Sequence, residues 1–335
     1  MRITHWARLL APLLALAACD ADDSDTIEPE PLKSVPPPPA EAGAGDGSGA
    51  TFAVTRYWLG STTVDGDAST LAWETFGYDL DGHDSDLADS QHCRPVEGAA
   101  PASVLEDGPG GVDNAFGKLL LPMLDVALSY GGAKQVDAEA VVNADLGRAT
   151  TGLVFRLDRL GTRDSYDPIA GFLSPALKDT NGVWARVESG ERDFGDSYVS
   201  DDVWVLRLEG STLDLQWGLA GSVLPFRLHR PTITMRLSAD RARVTAGIVA
   251  GVLDAEELVA SMRDMLGVTD PGFCEGGATE ALLTEVRQAS DIMVSGEQDP
   301  NVECDAISMA FGFEASAADP QGTAELPTIP TPCQP

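Results

Sequence analysis

The stretch GYDLDGHDSDLADSQHC, residues 77–93, gathers five aspartates, two of the chain's four histidines and a cysteine. Residues of these types can cage a hard cation, ligate zinc or act as a catalytic carboxylate pair. Calcium takes six to eight oxygen ligands, which aspartates around a tight glycine turn supply well. Laid on an EF-hand loop, Asp79 falls at the third position, Asp81 at the fifth and Gly82 at the sixth. The backbone carbonyl of His83 then falls at the seventh and Ser85 at the ninth. Gly77 stands where the first aspartate is required and Ala88 where the closing bidentate glutamate is required, so the loop is no EF-hand. A calcium site of another kind needs ligands from elsewhere, and the glycine-rich EDGPGGVDN segment offers Asp113 and Asn114. The expected ligand set is therefore Asp79, Asp81, Asp113 and Asn114, with Ca2+ as the cofactor. The alternative is a solvated loop whose aspartates serve as turn formers.

Zinc is disfavoured, because the nine-residue spacing of His83 and His92 matches no common ligand pattern. Both are expected to be exposed polar residues, and His229 a strand residue beside Arg230. Neither a G-x-S-x-G elbow nor an H-E-x-x-H motif occurs. GDSY, Gly195 to Tyr198, resembles the first block of GDSL-type hydrolases. It lies mid-chain, lacks the following leucine, and has no matching Asp-x-x-His near the C-terminus, so a turn is the better reading. An acidic pair could hydrolyse a glycoside, but none stands out among 53 acids. Aromatic residues are sparse at 6% for a sugar-stacking cleft. Trp184, Trp204 and Trp217 sit in strand-like runs and are core candidates, or a carbohydrate platform if two share an open face. No catalytic residue is assigned.

The N-terminus, MRITHWARLLAPLLALAACD, has Arg2 and Arg8 ahead of a ten-residue apolar stretch, Leu9 to Ala18. That is too short to span a bilayer and reads as a secretory signal over residues 1–18. Leu16-Ala17-Ala18-Cys19 resembles the lipobox of bacterial lipoproteins. The resemblance implies cleavage before Cys19 and acyl chains (palmitate among them) on that residue, hence a lipid anchor in the cell envelope. Asp20 follows the cysteine, a position that directs sorting in enteric bacteria, and leaves the choice of membrane open. Residues 19–50 then read as a disordered acidic tether, with eight acids, one lysine, a proline run and no aromatic residue after Cys19.

The chain carries a formal charge of −31. Nucleic acid and anionic lipid headgroups are poor partners for such a surface, since both need clustered Lys and Arg. A membrane contact through the lipid and an unknown protein or carbohydrate ligand are the expected partners. Four cysteines remain beyond Cys19, an even number that suggests two disulfides in an exported chain. Of three connectivities, the favoured one is Cys274–Cys304, whose loop of about 30 residues would contribute roughly 3–4 kcal/mol. Cys93–Cys333 follows by elimination.

The rest must position these groups. Residues 51–335 suffice for a single domain. Period-two patterning in TGLVFRLDRLG, DDVWVLRLEG, STLDLQWGLAG and TITMRL predicts strands, broken by glycine, proline and aspartate. Helices are predicted in DNAFGKLLLPMLDVALSYGG, kinked by Pro122, in DAEELVASMRDML, capped by Asp254, and in TEALLTEVRQASDIM. The fold class is mainly β (α+β): an antiparallel, jelly-roll-like β-sandwich with about three added helices and a Pro-rich tail. GYDLDG, EDGPGGVDNAFGK and GEQDPNVECDAISMAFGFEA resemble segments of uncharacterised exported lipoproteins of myxobacteria and similar Gram-negative bacteria. The resemblance implies no activity. The expected role is binding or structural, calcium-stabilised. The alternatives are a hydrolytic or carbohydrate-active sandwich using a carboxylate pair, and a surface adhesin or assembly partner.

Overall fold

The computed structural model describes residues 32–40, 47, 49–85, 91–129, 136–146, 151–161, 166–179, 181–219, 221–326 and 328–333. The signal segment, Cys19, and Asp86, Ala88 and Asp89 of the acidic stretch lie outside them. The described residues hold ten strands: β1 (Ala50–Trp58), β2 (Thr151–Leu157), β3 (Tyr166–Lys178), β4 (Trp184–Arg186) and β5 (Arg192–Ser200) come first. β6 (Val203–Arg207), β7 (Thr212–Leu219), β8 (Ser222–Leu237), β9 (Arg243–Asp254) and β10 (Ala306–Ala317) follow. All strand pairs are antiparallel.

The chain is mainly β, as its patterning predicts, and the connectivity refines the picture. Pairing runs β2-β1-β10-β9-β8-β6-β5-β3, and β2 also pairs β3, so eight strands close into a ring. Each neighbour around that ring is next in chain order, once β4 and β7, which branch from β3 and β8, are set aside, apart from the closing pair of the first strand, β1, with the last, β10. The two faces expected of a sandwich are thus opposite walls of one sheet. It meanders, without the Greek-key crossovers of a jelly roll. Closure removes the free edges that an open sheet would expose.

The interior is filled by the alternating apolar set: Phe52, Phe155, Trp204, Leu206, Ile233, Met235, Phe311 and Phe313 are all at most 1% exposed. Phe155 stacks on Phe313 with centroids 5.4 Å apart and meets Trp204 edge-on. The tryptophans belong to this core: Trp184, Trp204 and Trp217 are all buried, which removes the sugar platform. Ser197 of GDSY lies in β5, fully buried, donating to the Ile169 carbonyl and accepting from Trp204 Nε1. It is a packing hydroxyl rather than a nucleophile.

The 92 residues between β1 and β2 hold α1 (Pro101–Val104), α2 (Leu121–Ser129) and α3 (Ala138–Leu146). A π-helical turn, Phe116–Leu120, leads into α2 just before Pro122, where the sequence predicts a kink. Phe116 meets Trp217 at 5.6 Å, so this turn packs against the barrel core. The earlier part of the excursion lies on the outer wall. Trp58, Phe76 and Tyr78 form a second apolar cluster with Val203, Val205, Ile248, Ala250 and Ala310, the outward residues of β6, β9 and β10. This is why β9 and β10 read as nearly unbroken runs of small and apolar residues: both their faces are covered.

Residues 32–40, assigned to the tether by composition, are seated on the same wall. Leu32 is buried in that cluster, Val35 packs against it, and Tyr198 donates its hydroxyl to the Pro36 carbonyl at 2.6 Å.

α4 (Ala255–Thr269) starts as predicted, with Asp254 accepting from the backbone N–H of Glu256 and Glu257 and with Leu258, Met262 and Met265 buried. α5 (Gly277–Gln288) packs against it. The disulfides differ from the predicted pairing: they are Cys93–Cys304 and Cys274–Cys333. α5 carries the chain about 18 Å away from Cys274 before Cys304 is reached. A backbone bridge, Arg94 N–H to the Val302 carbonyl and Cys304 N–H to the Arg94 carbonyl, sets Cys304 beside Cys93 instead. The tail returns to α4, where Cys333 N–H donates to Asp264.

Candidate metal centre

Two segments of the excursion meet edge to edge. Asp113 N–H donates to the Tyr78 carbonyl at 3.1 Å, and Asp107 N–H to the Ser85 carbonyl at 3.2 Å. Gly111, at φ +77°, turns the second segment so closely over the first that a Cβ there would lie 3.3 Å from Asp79 Cβ. Asp79, Asp81 and Asp113 are thereby brought together, each offering a carboxylate oxygen within 4.8 Å of the others.

Each carboxylate is held by the local backbone. Asp79 accepts from Gly82 N–H at 2.6 Å and Asp81 from His83 N–H at 2.8 Å, the turn-forming roles aspartate plays around a glycine. Asp113 accepts from Leu80 N–H at 2.6 Å. Asp81 also accepts from Gln298 Nε2 at 2.6 Å, and Gln298 Oε1 accepts from Cys93 N–H at 2.8 Å. One side of the cluster is therefore braced by the loop that the Cys93–Cys304 bridge closes.

Asn114, the fourth expected ligand, is engaged elsewhere. Its Nδ2 donates to the Trp73 and Phe76 carbonyls, and its Oδ1 accepts from Gly117 and Ala310 N–H. That fills the hydrogen-bonding capacity of the amide, so Asn114 pins the excursion to β10 and is no ligand. Two residues outside the expected set take its place at the cluster. Asp107, from the same glycine-rich segment, hydrogen-bonds Asp113 and accepts from Ser85 N–H at 2.7 Å. Ser85 is more than nine-tenths buried, and its hydroxyl, beside the Asp107 carboxylate, makes no well-formed hydrogen bond.

Crowding and burial raise these acids. Burial pushes Asp107 up to about 6, with the charge of Asp81 adding to it. Burial and the charges of Asp81, Asp107 and Asp291 hold Asp113 well above the usual carboxylate range. Asp291, half-buried and hydrogen-bonded to Ser308, is pushed up to about 7 by its removal from water. Lys118 reaches this region, donating to the Glu106 carbonyl, and burial lowers its pKa. Like charges and burial favour protons on Asp79, Asp107 and Asp113, and a divalent ion would favour their charged forms instead.

The histidines stay out of the centre. His92 is buried, where exposure was expected, His83 is half-buried, and His229 in β8 meets Glu257 at 3.3 Å. A second acidic place, Glu139 of α3, had no sequence signal: its carboxylate accepts from the N–H groups of Leu59, Gly60 and Ser61 and from the Thr62 hydroxyl.

No family model, curated protein or solved structure matches the chain. Its two disulfides fit a non-cytosolic location, and among the described residues no helix is long and apolar enough to cross a membrane.

Proposed function

We propose that the protein is a lipid-anchored cell-envelope barrel with a binding or structural role, and that calcium fastens its acidic junction. The observation that carries the calcium reading is the convergence of Asp79, Asp81 and Asp113 within 4.8 Å, with Asp107 and the buried Ser85 hydroxyl beside them. Hard oxygen donors of mixed charge and neutrality are the set calcium favours. The anchor rests on the lipobox-like residues before Cys19 and on the disulfides. Bound calcium would tie the first segment of the excursion to the second, and through Gln298 to the Cys93–Cys304 loop.

The test is thermal unfolding of the disulfide-intact protein in millimolar calcium and in chelator. A ligand at 100 times its Kd stabilises the native state by about 2.7 kcal/mol. For a domain of this size that raises the midpoint by roughly 5–10 °C. Equal midpoints in the two conditions remove the calcium claim. Radiolabelled palmitate that fails to enter the chain, or enters a Cys19→Ala variant equally, removes the anchor.

The Asp107–Asp113 pair also bears on the hydrolase alternative, because hydrogen-bonded carboxyls with raised pKa are what acid–base catalysis uses. Asp113 is only 3% exposed, however, and the partly open cleft among the described residues lies elsewhere, between Tyr57, Leu153, Pro175 and Trp217. The geometry favours holding an ion over admitting a substrate. Among the described residues the exposed large apolar side chains are Leu71, Val126, Val183, Val268 and Val302, well apart in sequence.

A further inference from the structure

The outer wall of the barrel has the chemistry of a groove for an extended proline-rich segment. Tyr198 faces outward from β5, opposite in sense to the inward Ser197 and Val199, and lies beside the outward Val203 and Val205 of β6. Phe76 and Tyr78 of the excursion and Trp58 at the end of β1 complete an apolar, aromatic lining. Polyproline recognition uses such surfaces: aromatic walls receive every third or fourth side chain, and a polar group takes a carbonyl left free by the hydrogen-bond-free helix.

The segment LKSVPPPP, residues 32–39, fits that description in both spacing and bonding. Leu32 is buried, Val35, Pro36 and Pro39 are half-buried, and Lys33, Ser34, Pro37 and Pro38 face water. The Pro36 carbonyl takes the Tyr198 hydroxyl at 2.6 Å. We propose that this wall is a docking groove for a proline-rich strand, and that residues 32–39 of the same chain occupy it as a latch. The hold is small: one buried leucine, one half-buried valine and one hydrogen bond oppose the ordering of eight residues. The prolines make that ordering less costly, since their φ is already fixed.

A seated latch shortens the chain between Cys19 and the barrel to the twelve residues 20–31, where composition gave thirty-one. This consequence rests on the anchor proposed above; the latch itself does not.

Trypsin reads the latch directly, because Lys33 is the one lysine or arginine between Arg8 and Arg56. In the wild-type chain, cleavage after Lys33 is expected to be at least tenfold slower than in Leu32→Asp. Tyr198→Phe, which removes only a half-exposed hydroxyl, is expected to speed cleavage two- to fivefold with no change in thermal midpoint. A labelled peptide of residues 31–40 is expected to bind Leu32→Asp and to bind the wild type at least tenfold more weakly, since the groove is filled in cis. Equal cleavage rates in wild type, Leu32→Asp and Tyr198→Phe overturn the latch. A peptide that fails to bind the folded Leu32→Asp protein overturns the groove. Neither readout depends on whether Cys19 carries lipid.

Discussion

Glu139 and the cluster around Asp113 are two solutions to the burial of carboxylates beside the same strand system. Glu139 is surrounded by donors: three consecutive backbone N–H groups at 2.7–3.1 Å and a threonine hydroxyl. Asp113 is surrounded mainly by other acceptors, with Leu80 N–H as its backbone donor and Asp81, Asp107 and Asp291 near enough to raise its pKa. A carboxylate fed by N–H groups holds the chain together unaided. Carboxylates that face one another repel and favour protonation or a cation. Equal burial therefore goes with matched donors at one place and with competing acceptors at the other.

Glu139→Ala should break the first site with the largest effect. Three buried N–H groups lose their acceptor, a cost of about 3–5 kcal/mol. Denaturant unfolding should show that loss equally in calcium and in chelator; dependence on calcium would merge the two sites. Next is the pH response of Asp291. Its folded pKa, about 7, lies above the ordinary 3.8, so the native state holds a proton that the unfolded chain releases. Stability from this group is full below pH 4 and is lost as pH rises toward 7, on the order of 2–4 kcal/mol. Asp291→Asn should flatten that slope in metal-free protein, and an unchanged slope would refute the assignment.

Asp113→Asn should abolish the calcium-dependent midpoint shift while leaving the metal-free protein at least as stable as the wild type, because it removes one crowded charge and keeps the amide's hydrogen bonds. A residual shift of full size would show that Asp113 is not a ligand. The smallest effect belongs to Gln298→Ala, which frees Asp81 on one side. It should weaken calcium binding several-fold by titration calorimetry, as loss of an outer-shell partner does.

The sequence shows where strands of strict alternation lie and where Asp254 caps α4, since both signals are local. It does not show that β1 pairs β10, because that contact joins residues some 260 apart. β3 is harder still: Pro168, Gly171 and Pro175 read as breakers, yet its partners β2 and β5 hold it extended. At the centre, the aspartates near glycine turns were legible as a group that Asp113 joins from the second segment. Asn114 was misread because its chemistry suits a ligand and only the packing shows four backbone groups already using it. Asp107 stood six residues before Asp113 in the same glycine-rich segment, so its signal was present. Gln298 and Asp291 had none, since they arrive from a loop about 200 residues downstream.

The disulfide connectivity carries a consequence for how the chain matures. Cys93 must wait for Cys304, a partner 211 residues later, and Cys274 passes before it. Oxidation in order of emergence joins Cys93 to Cys274 and strands both native partners. Exchange through mixed disulfides is then the route to the native pair, on a timescale of seconds to hours that an isomerase shortens. Refolding from the reduced state should accordingly be limited by reshuffling, and the backbone contacts of Arg94 with Val302 and Cys304 hold Cys93 beside its native partner just ahead of β10.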